Sequence, residues 1–298
     1  MMRISDILIS NNYLNSLNGT KSKIERLGSQ LASGVKVSKP SDSPSGTAKI
    51  LRFYNQLTQS DVYSKNISNS ISFLNETTFA MENIQSELVK VLTNITELSN
   101  AANSENLDSF ADQIDLSLDA ILNSANSQYD GKYLFGGTDF SSVPYGFSDD
   151  LSSVELKVSD VSGIQKVKVS QNILQKINMT GTEVFGAIGD DDIFNTLIGI
   201  RDNLRLGIKP TEEQENIVKN FNKETLDRIA ETGNNINHLY DAEELITNQR
   251  VNLEELLSKE QEVDAVKATM ELQNLDYVLQ LSYQIAAMFH PKSILDFL

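Results

Sequence analysis

The chain of 298 residues contains no cysteine. That excludes disulfides, thiol nucleophiles and thiolate metal sites, and it leaves packing alone to hold the fold. Positive charge is scarce as well: 25 Lys and Arg stand against 41 Asp and Glu, a formal net charge of -16. A nucleic-acid duplex or an anionic membrane repels such a chain on average. The densest basic stretches, around Lys36 to Lys39 and Lys157 to Lys168, are interleaved with apolar and polar residues. The aliphatic-aromatic run near the C-terminal end, "IAAMF", is far too short to span a bilayer. Neither nucleic-acid binding nor membrane insertion is therefore expected. The first residues, "MMRISDILISNNYL", lack the apolar core of about 7–15 residues that a cleaved signal peptide needs. That reading predicts the cytoplasm, or export by an apparatus that threads unfolded chains.

Catalytic groups are equally sparse. His238 and His290 are the only histidines and lie far apart, with no second ligand at metal spacing. "GDDD" at 189–192 lacks the alternating oxygen donors and the bidentate glutamate of a calcium loop. Its simpler role is negative charge at a helix N-terminus. No nucleophile elbow, Walker sequence or paired histidine-carboxylate set is present. No enzyme activity, cofactor or metal is predicted.

Glycine and proline are absent between Gly46 and Gly131, and there the apolar residues recur every seven positions. One seam reads Phe53, Ser60, Ile67, Leu74, Met81, Leu88, Ile95 and Ala102; a weaker partner seam reads Ile50, Leu57, Ser64, Ile71, Thr78, Gln85, Leu92 and Ser99. Sustained heptads argue for a coiled-coil-like helix. At 1.5 Å per residue, residues 47–100 would extend roughly 80 Å, a rod rather than a globular helix. In "PSDSPSG" Ser43 can cap that helix, with Pro44 at its first position. The polar "NSENLDS" (103–109) should bend or end it. Leu107, Phe110, Ile114, Leu118, Ile121 and Ala125 then form a second amphipathic pattern running on to Tyr129.

An N-terminal helix carries Leu17, Ile24, Leu27 and Leu31 at seam spacing, and Gly34 ends it as a left-handed cap. Residues 211–258 read as another long helix with Ile217, Phe221, Ile229, Ile236, Leu239, Ile246, Leu253 and Leu257 as its stripe, mildly interrupted by Gly233. From Val263 to Phe289 a further helix is apolar on nearly every side. "SVELKVS" and "IQKVKVS" alternate with period two about a turn containing Gly163, and predict one β-hairpin. "GDDDIF" opens a short helix to about Leu206. The expected fold is mostly α: a long antiparallel coiled-coil-like rod from both chain halves (36–130 with 193–264), helical terminal arms (1–35 with 265–298) and a small β-containing insertion (131–192).

Two paired arms leave apolar surface exposed, and each large apolar side chain left in water forgoes roughly 1.5–3 kcal/mol. That predicts self-assembly through the termini, with Leu17, Ile24, Leu27, Leu31, Leu272, Leu275, Leu279, Ile285 and Phe289 at the interface. "YDGKYLFGGTDF" (129–140) raises a separate choice between a phosphate cradle and a structural corner. A cradle needs glycines that follow a strand and open a helix; here they follow a helix and precede strands. Gly131, Gly136 and Gly137 are expected to turn the chain, while Tyr133, Leu134 and Phe135 anchor it to the rod.

Three stretches carry a resemblance. "QLASGVKVSKPSDSPSGTAKI" (30–50), "YDGKYLFGGTDF" and "LQLSYQIAAMFHPKSILDFL" (279–298) resemble the flagellin superfamily, in particular its hook-filament junction branch. Ser43 stands where that family commonly has an acidic residue, and His290-Pro291 interrupts a terminal helix that the family usually continues. The resemblance implies a structural subunit without enzymatic activity, exported unfolded through the flagellar type III channel. It implies self-association into a ring or layer, another hook-associated protein on the hook side, flagellin on the filament side, and a cytoplasmic export chaperone bound to the C-terminal region. Filament flagellin is the near alternative, and a cytoplasmic coiled-coil scaffold the distant one.

Overall fold

The computed structural model describes residues 2–98, 106–150, 152–189 and 192–289, with backbone alone for residues 2–7, 9 and 289. In chain order the elements are α1 (Met2–Ser33), α2 (Pro44–Leu98), α3 (Leu107–Ala125), β1 (Gln128–Tyr129), β2 (Lys132–Tyr133), β3 (Tyr145–Phe147) and β4 (Val154–Leu156). They continue with β5 (Lys166–Ser170), β6 (Ile173–Lys176), α4 (Gly181–Phe185), α5 (Ile193–Arg205), α6 (Glu212–Gln261) and α7 (Ala265–Phe289). Among the described residues the chain is thus mostly helical, with three small two-stranded antiparallel sheets. Its contacts define two compact units, residues 1–59 with 249–298 and residues 60–248.

In the first unit, the connections that follow α1 and α6 bind each other. Lys36 N donates to Gln261 O at 2.7 Å and Val263 N to Gly34 O at 3.0 Å, an isolated antiparallel bridge between Val35 and Glu262. Gly34 sits at φ +71, the left-handed cap expected for α1. The start of α2 also matches its sequence signals: Pro44 is the first helical residue and the Ser43 hydroxyl accepts from Gly46 N at 3.1 Å. Just before it, the Asp42 carboxylate accepts from Lys39 N and from the backbone and hydroxyl of Ser38. These bonds, led by that from Lys39, hold its pKa below the ordinary aspartate value. Asp264 caps α7, its carboxylate accepting from Lys267 N at 3.0 Å. Among the described residues, Leu27, Ile50, Phe53, Leu253 and Ala268 are the buried apolar residues of this unit.

The second unit contains the main core. Ser60, Ile67, Leu74, Met81, Leu88 and Ile95 are all buried on α2, as the first seam predicts; Ala102 lies outside the described residues. The partner seam is corrected by one residue. Ser70, Thr77, Ile84, Val91 and Leu98 are the buried series, whereas Thr78, Gln85 and Leu92 are half-exposed and Ser99 is not described. Ile84, Val91 and Leu98 offer more apolar surface than Gln85, Leu92 and Ser99, so the helix rotates to bury them. The hydroxyls at the buried polar positions bond within their own helix, Ser70 to Asn66 O and Thr77 to Phe73 O. On α6, Thr225 and Thr232 do the same to Phe221 O and Arg228 O. A buried hydroxyl satisfied in this way carries no stranded donor.

Residues of α3, α5 and α6, including Ile114, Leu118, Ile121, Phe194, Leu197, Ile200, Val218 and Phe221, complete this core. Arg201 on α5 ties to α3 through Asp115 at 2.9 Å. Helix α3 ends at Ala125 rather than near Tyr129. Asp130 and Gly131 both have positive φ, +50 and +72. Such a two-residue turn matches the twist of a tight hairpin, so β1, paired with β2, takes residues the helical pattern had claimed.

The single hairpin expected about Gly163 is also corrected. Val154–Leu156 pairs with Tyr145–Phe147, and Lys166–Ser170 pairs with Ile173–Lys176 across a bulge. The loops within these hairpins are shorter than the connection through Gly163, and a shorter loop costs less closure entropy. Side-chain amides then occupy neighbouring backbone groups: Asn126 with both N and O of Tyr145, Asn195 with Val154, and Asn178 with Gly163 O and Gln165 N.

The β5–β6 hairpin lies on the helices. Val169 is buried with Ile67, Ile71, Leu74, Leu239 and Ile246, and Val167 packs beside them. Lys176 bonds both carboxylate oxygens of Glu183 at 2.8 and 2.9 Å, and Glu183 with Thr180 forms the capping box of α4. Partial burial pushes the Glu183 carboxyl up, but the bonds from Lys176 and Thr180 prevail and hold it below its ordinary value of 4.5. A depressed carboxylate pKa adds stability above the unfolded-state value, and that stability is lost as pH falls through the folded-state one.

Two measurements check these contacts. Glu183→Gln is expected to lower the melting temperature near neutral pH, and the difference from the parent should vanish as the pH drops well below about 4.5. Asp264→Ala should cost about 1 kcal/mol through loss of the α7 cap, read as a shift in the denaturant midpoint.

Candidate assembly surface and insertion corner

Helices α1 and α7 pair along heptad faces. Tyr13, Leu17, Thr20, Ile24, Leu27 and Leu31 on α1, and Ala268, Leu272, Leu275, Leu279, Ser282 and Ala286 on α7, are all buried or half-buried. Both series step alternately by four and three residues, the spacing of a coiled-coil seam. The Tyr13 hydroxyl donates to Ser282 O at 2.5 Å, and Gly34 O accepts from Val263 N, so the helices run antiparallel. Lys21 lies 5.8 Å from the centre of the Tyr283 ring. In this register small Ser282 faces Tyr13, and Ala268 faces the Leu27 to Leu31 turn.

Seven of the expected interface residues, Leu17, Ile24, Leu27, Leu31, Leu272, Leu275 and Leu279, therefore lie in this seam within one chain. Ile285 does not: it is exposed, and at 100° per residue it falls away from the seam face. The side chain of Phe289 lies outside the described residues. Sequence reading missed Tyr13, Thr20, Ala268, Ser282 and Ala286, although the heptad step through Leu17 and Leu272 points to each. The opposite face of α7 carries Val266, Met270, Tyr277, Leu281 and Met288, with Met270 66% and Met288 83% exposed. One helix thus bears two apolar faces, and α1 covers one of them.

The glycine corner is built differently. Beyond the Asp130-Gly131 turn, Tyr133 N donates to Phe140 O and Leu134 N to Ser127 O, each at 3.0 Å. Tyr133 is half-buried, while Leu134, Phe135, Gly136 and Gly137 are buried. The Phe135 ring meets Phe185 edge-on at 5.2 Å, and Phe185 in turn contacts Tyr145 and Phe194. Phe135 is thus anchored through α4 and α5 as part of the core that includes α2 and α3. Gly137 has φ +66, and a Cβ there would lie 2.9 Å from the backbone carbon of Val161. The glycines allow two backbone segments to touch. Gly136 O accepts from Asp139 N, a closed turn rather than an anion cradle.

At the "GDDD" stretch, Asp192 caps α5 by accepting from Asn195 N at 2.8 Å and also accepts from Gly189 N; residues 190 and 191 are outside the described residues. His238 is exposed, and His290 is not described. Among the described residues no three His, Asp or Glu side chains group to hold a metal ion, and no helix is long and apolar enough to cross a membrane.

Residues 4–139 match the bacterial flagellin N-terminal helical region. Over these residues the chain is similar to flagellin. The match takes in most of α1, all of α2 and α3, and the glycine corner, where it stops. The chain also shares its fold with solved structures. A protein described as a flagellar hook-associated protein from Vibrio parahaemolyticus is 16% identical with TM-score 0.65, over 74% of this chain and 100% of that one. Flagellar hook-associated protein-3 from Legionella pneumophila is 13% identical with TM-score 0.62, over 70% and 98%. FlgL from Bacillus cereus is 18% identical with TM-score 0.57, over 70% and 99%. A search of curated protein sequences gives no match. The family match and shared fold support a structural role in the bacterial flagellum.

Phe135→Ala is expected to cost about 3–5 kcal/mol, as for other buried aromatics. Protease cleavage within 131–192 should rise while the helical circular dichroism of the rest persists; unchanged melting and cleavage would refute the anchoring.

Proposed function

We propose that this chain is a subunit of the junction layer between hook and filament, assembled through its terminal helical arms, residues 1–35 and 265–298. The observation that carries this reading is the two-faced α7. Its seam face is spent on α1, while Val266, Met270, Tyr277, Leu281 and Met288 remain exposed opposite. Leaving such a stripe in water is costly, and exposed apolar surface of this extent marks an association site. Likeness over nearly the full length of two structures named as hook-associated proteins favours the junction over the filament. In this reading the neighbours are identical subunits within the layer, a second hook-associated protein on the hook side and flagellin on the filament side. Export runs unfolded through the type III channel to the cell exterior, with a cytoplasmic chaperone on the C-terminal arm. No chemical step is involved.

Filament flagellin is the second reading, since the match over 4–139 is to flagellin itself. Deleting the gene separates the two. For a junction subunit, cells keep their hooks and shed flagellin monomer into the medium; for a filament subunit, the filament protein itself disappears and nothing is shed. In the purified chain, Tyr277→Glu with Met288→Glu should abolish assembly while leaving the melting temperature nearly unchanged, because neither side chain lies in the α1–α7 seam. Assembly that survives both substitutions would overturn the role of this face.

A further inference from the structure

The β5–β6 hairpin presents a basic and apolar face that the proposed role has not used. Strand alternation turns Val167 and Val169 onto the helices and Lys166 and Lys168 outward. The register sets Lys168 beside Leu174, which is 63% exposed. The mounting is firm, because the Asn66 side chain on α2 donates to Lys168 O at 2.9 Å.

The turn between α5 and α6 has the complementary character. Leu206 and Ile208 are 75% and 52% exposed, next to exposed Glu212 and Glu213. The basic residues of that turn are engaged elsewhere: Lys209 donates to Leu98 O at 2.6 Å and Arg205 binds Asp115. We infer that the hairpin face of one copy docks on the 206–213 turn of a second copy, Leu174 on Leu206 and Ile208 and lysines on glutamates.

Within one chain the two surfaces cannot meet. The hairpin is fixed to α2 at Asn66 and the turn at Leu98, 32 residues apart, or about 48 Å along the helix. Two different patches in mutual contact make a heterologous interface, which generates a ring when the rotation closes. The patches are far smaller than a stable dimer interface. The contact therefore orients copies that the terminal arms bring together, and the inference rests on that reading.

The cysteine-free chain permits a direct test. Full-length Leu174→Cys/Ile208→Cys, oxidised under assembly conditions, should give a non-reducing ladder of dimer, trimer and higher species, whereas either single cysteine should give at most dimers. Adding Lys166→Glu/Lys168→Glu should lower the cross-linked fraction at least about tenfold, and further Glu212→Lys/Glu213→Lys should restore it. Lys166→Gln/Lys168→Gln, giving a smaller loss, serves if the reversal impairs folding. A chain that sediments as a multimer yet yields no ladder, or a ladder indifferent to these charges, overturns the contact alone. A wild-type chain that stays monomeric at every concentration overturns the assembly reading with it.

Discussion

The seam of α2 must be covered along its length, and the larger unit is organised around that requirement. From Ser60 to Leu98 a residue on this face is buried at nearly every heptad step. The helix has no glycine or proline after Gly46 at which it could turn to cover itself. The cover has to come from later in the chain, so α3, α5 and α6 return to it. The hairpin β5–β6 takes a further stretch of the same helix through Val167 and Val169. Because the hydroxyls of Ser70, Thr77, Thr225 and Thr232 bond to their own helices, polar seam positions can be buried without a partner across the interface. They weaken the apolar signal in the sequence without weakening hydrogen-bond satisfaction.

That distinction explains which parts of the fold could be read from the residues. The main seam, the Ser43-Pro44 start of α2, the Gly34 cap and the acidic start of α5 are local signals, and each appears in the structure. The second seam of α2 was displaced by one residue because Ile50 and Ile71, both buried, sit in the displaced series and lend it apolar weight. The strand pairing was missed for a different reason. Period-two alternation in "SVELKVS" and "IQKVKVS" identifies strands but does not choose partners. The choice is made by Asn126, Asn178 and Asn195, whose amides bind backbone groups 13 to 41 residues away.

The candidate assembly surface was legible in kind and ambiguous in orientation. A helix apolar on nearly every side has no sequence-level inside. Leu272, Leu275 and Leu279 go inward because small Ala268, Ser282 and Ala286 continue their heptad and admit the larger side chains of α1. The opposite face, from Met270 to Met288, has no such alternation of large and small. Its bulk suits a partner that brings its own small residues or grooves, so the face used within the chain and the face left open differ in packing character as well as position.

The family match ends at residue 139, within the glycine corner. Up to that point the chain is bound by helix seams and by the close backbone approach at Gly137, where any side chain would collide with Val161. Beyond it, the insertion is held by Tyr145, Val154, Val161, Met179, Val184 and Phe185 in the main core, by the two inward valines of β5, by asparagine amides and by the Lys176–Glu183 pair. Such attachments constrain few positions on the outward side of each strand. Lys166, Lys168, Ile173 and Leu174 carry no packing duty toward the core, so their side chains are free to be chosen by whatever the outer face meets. The corner separates a segment whose residues answer to the fold from one whose outer residues answer to the surroundings.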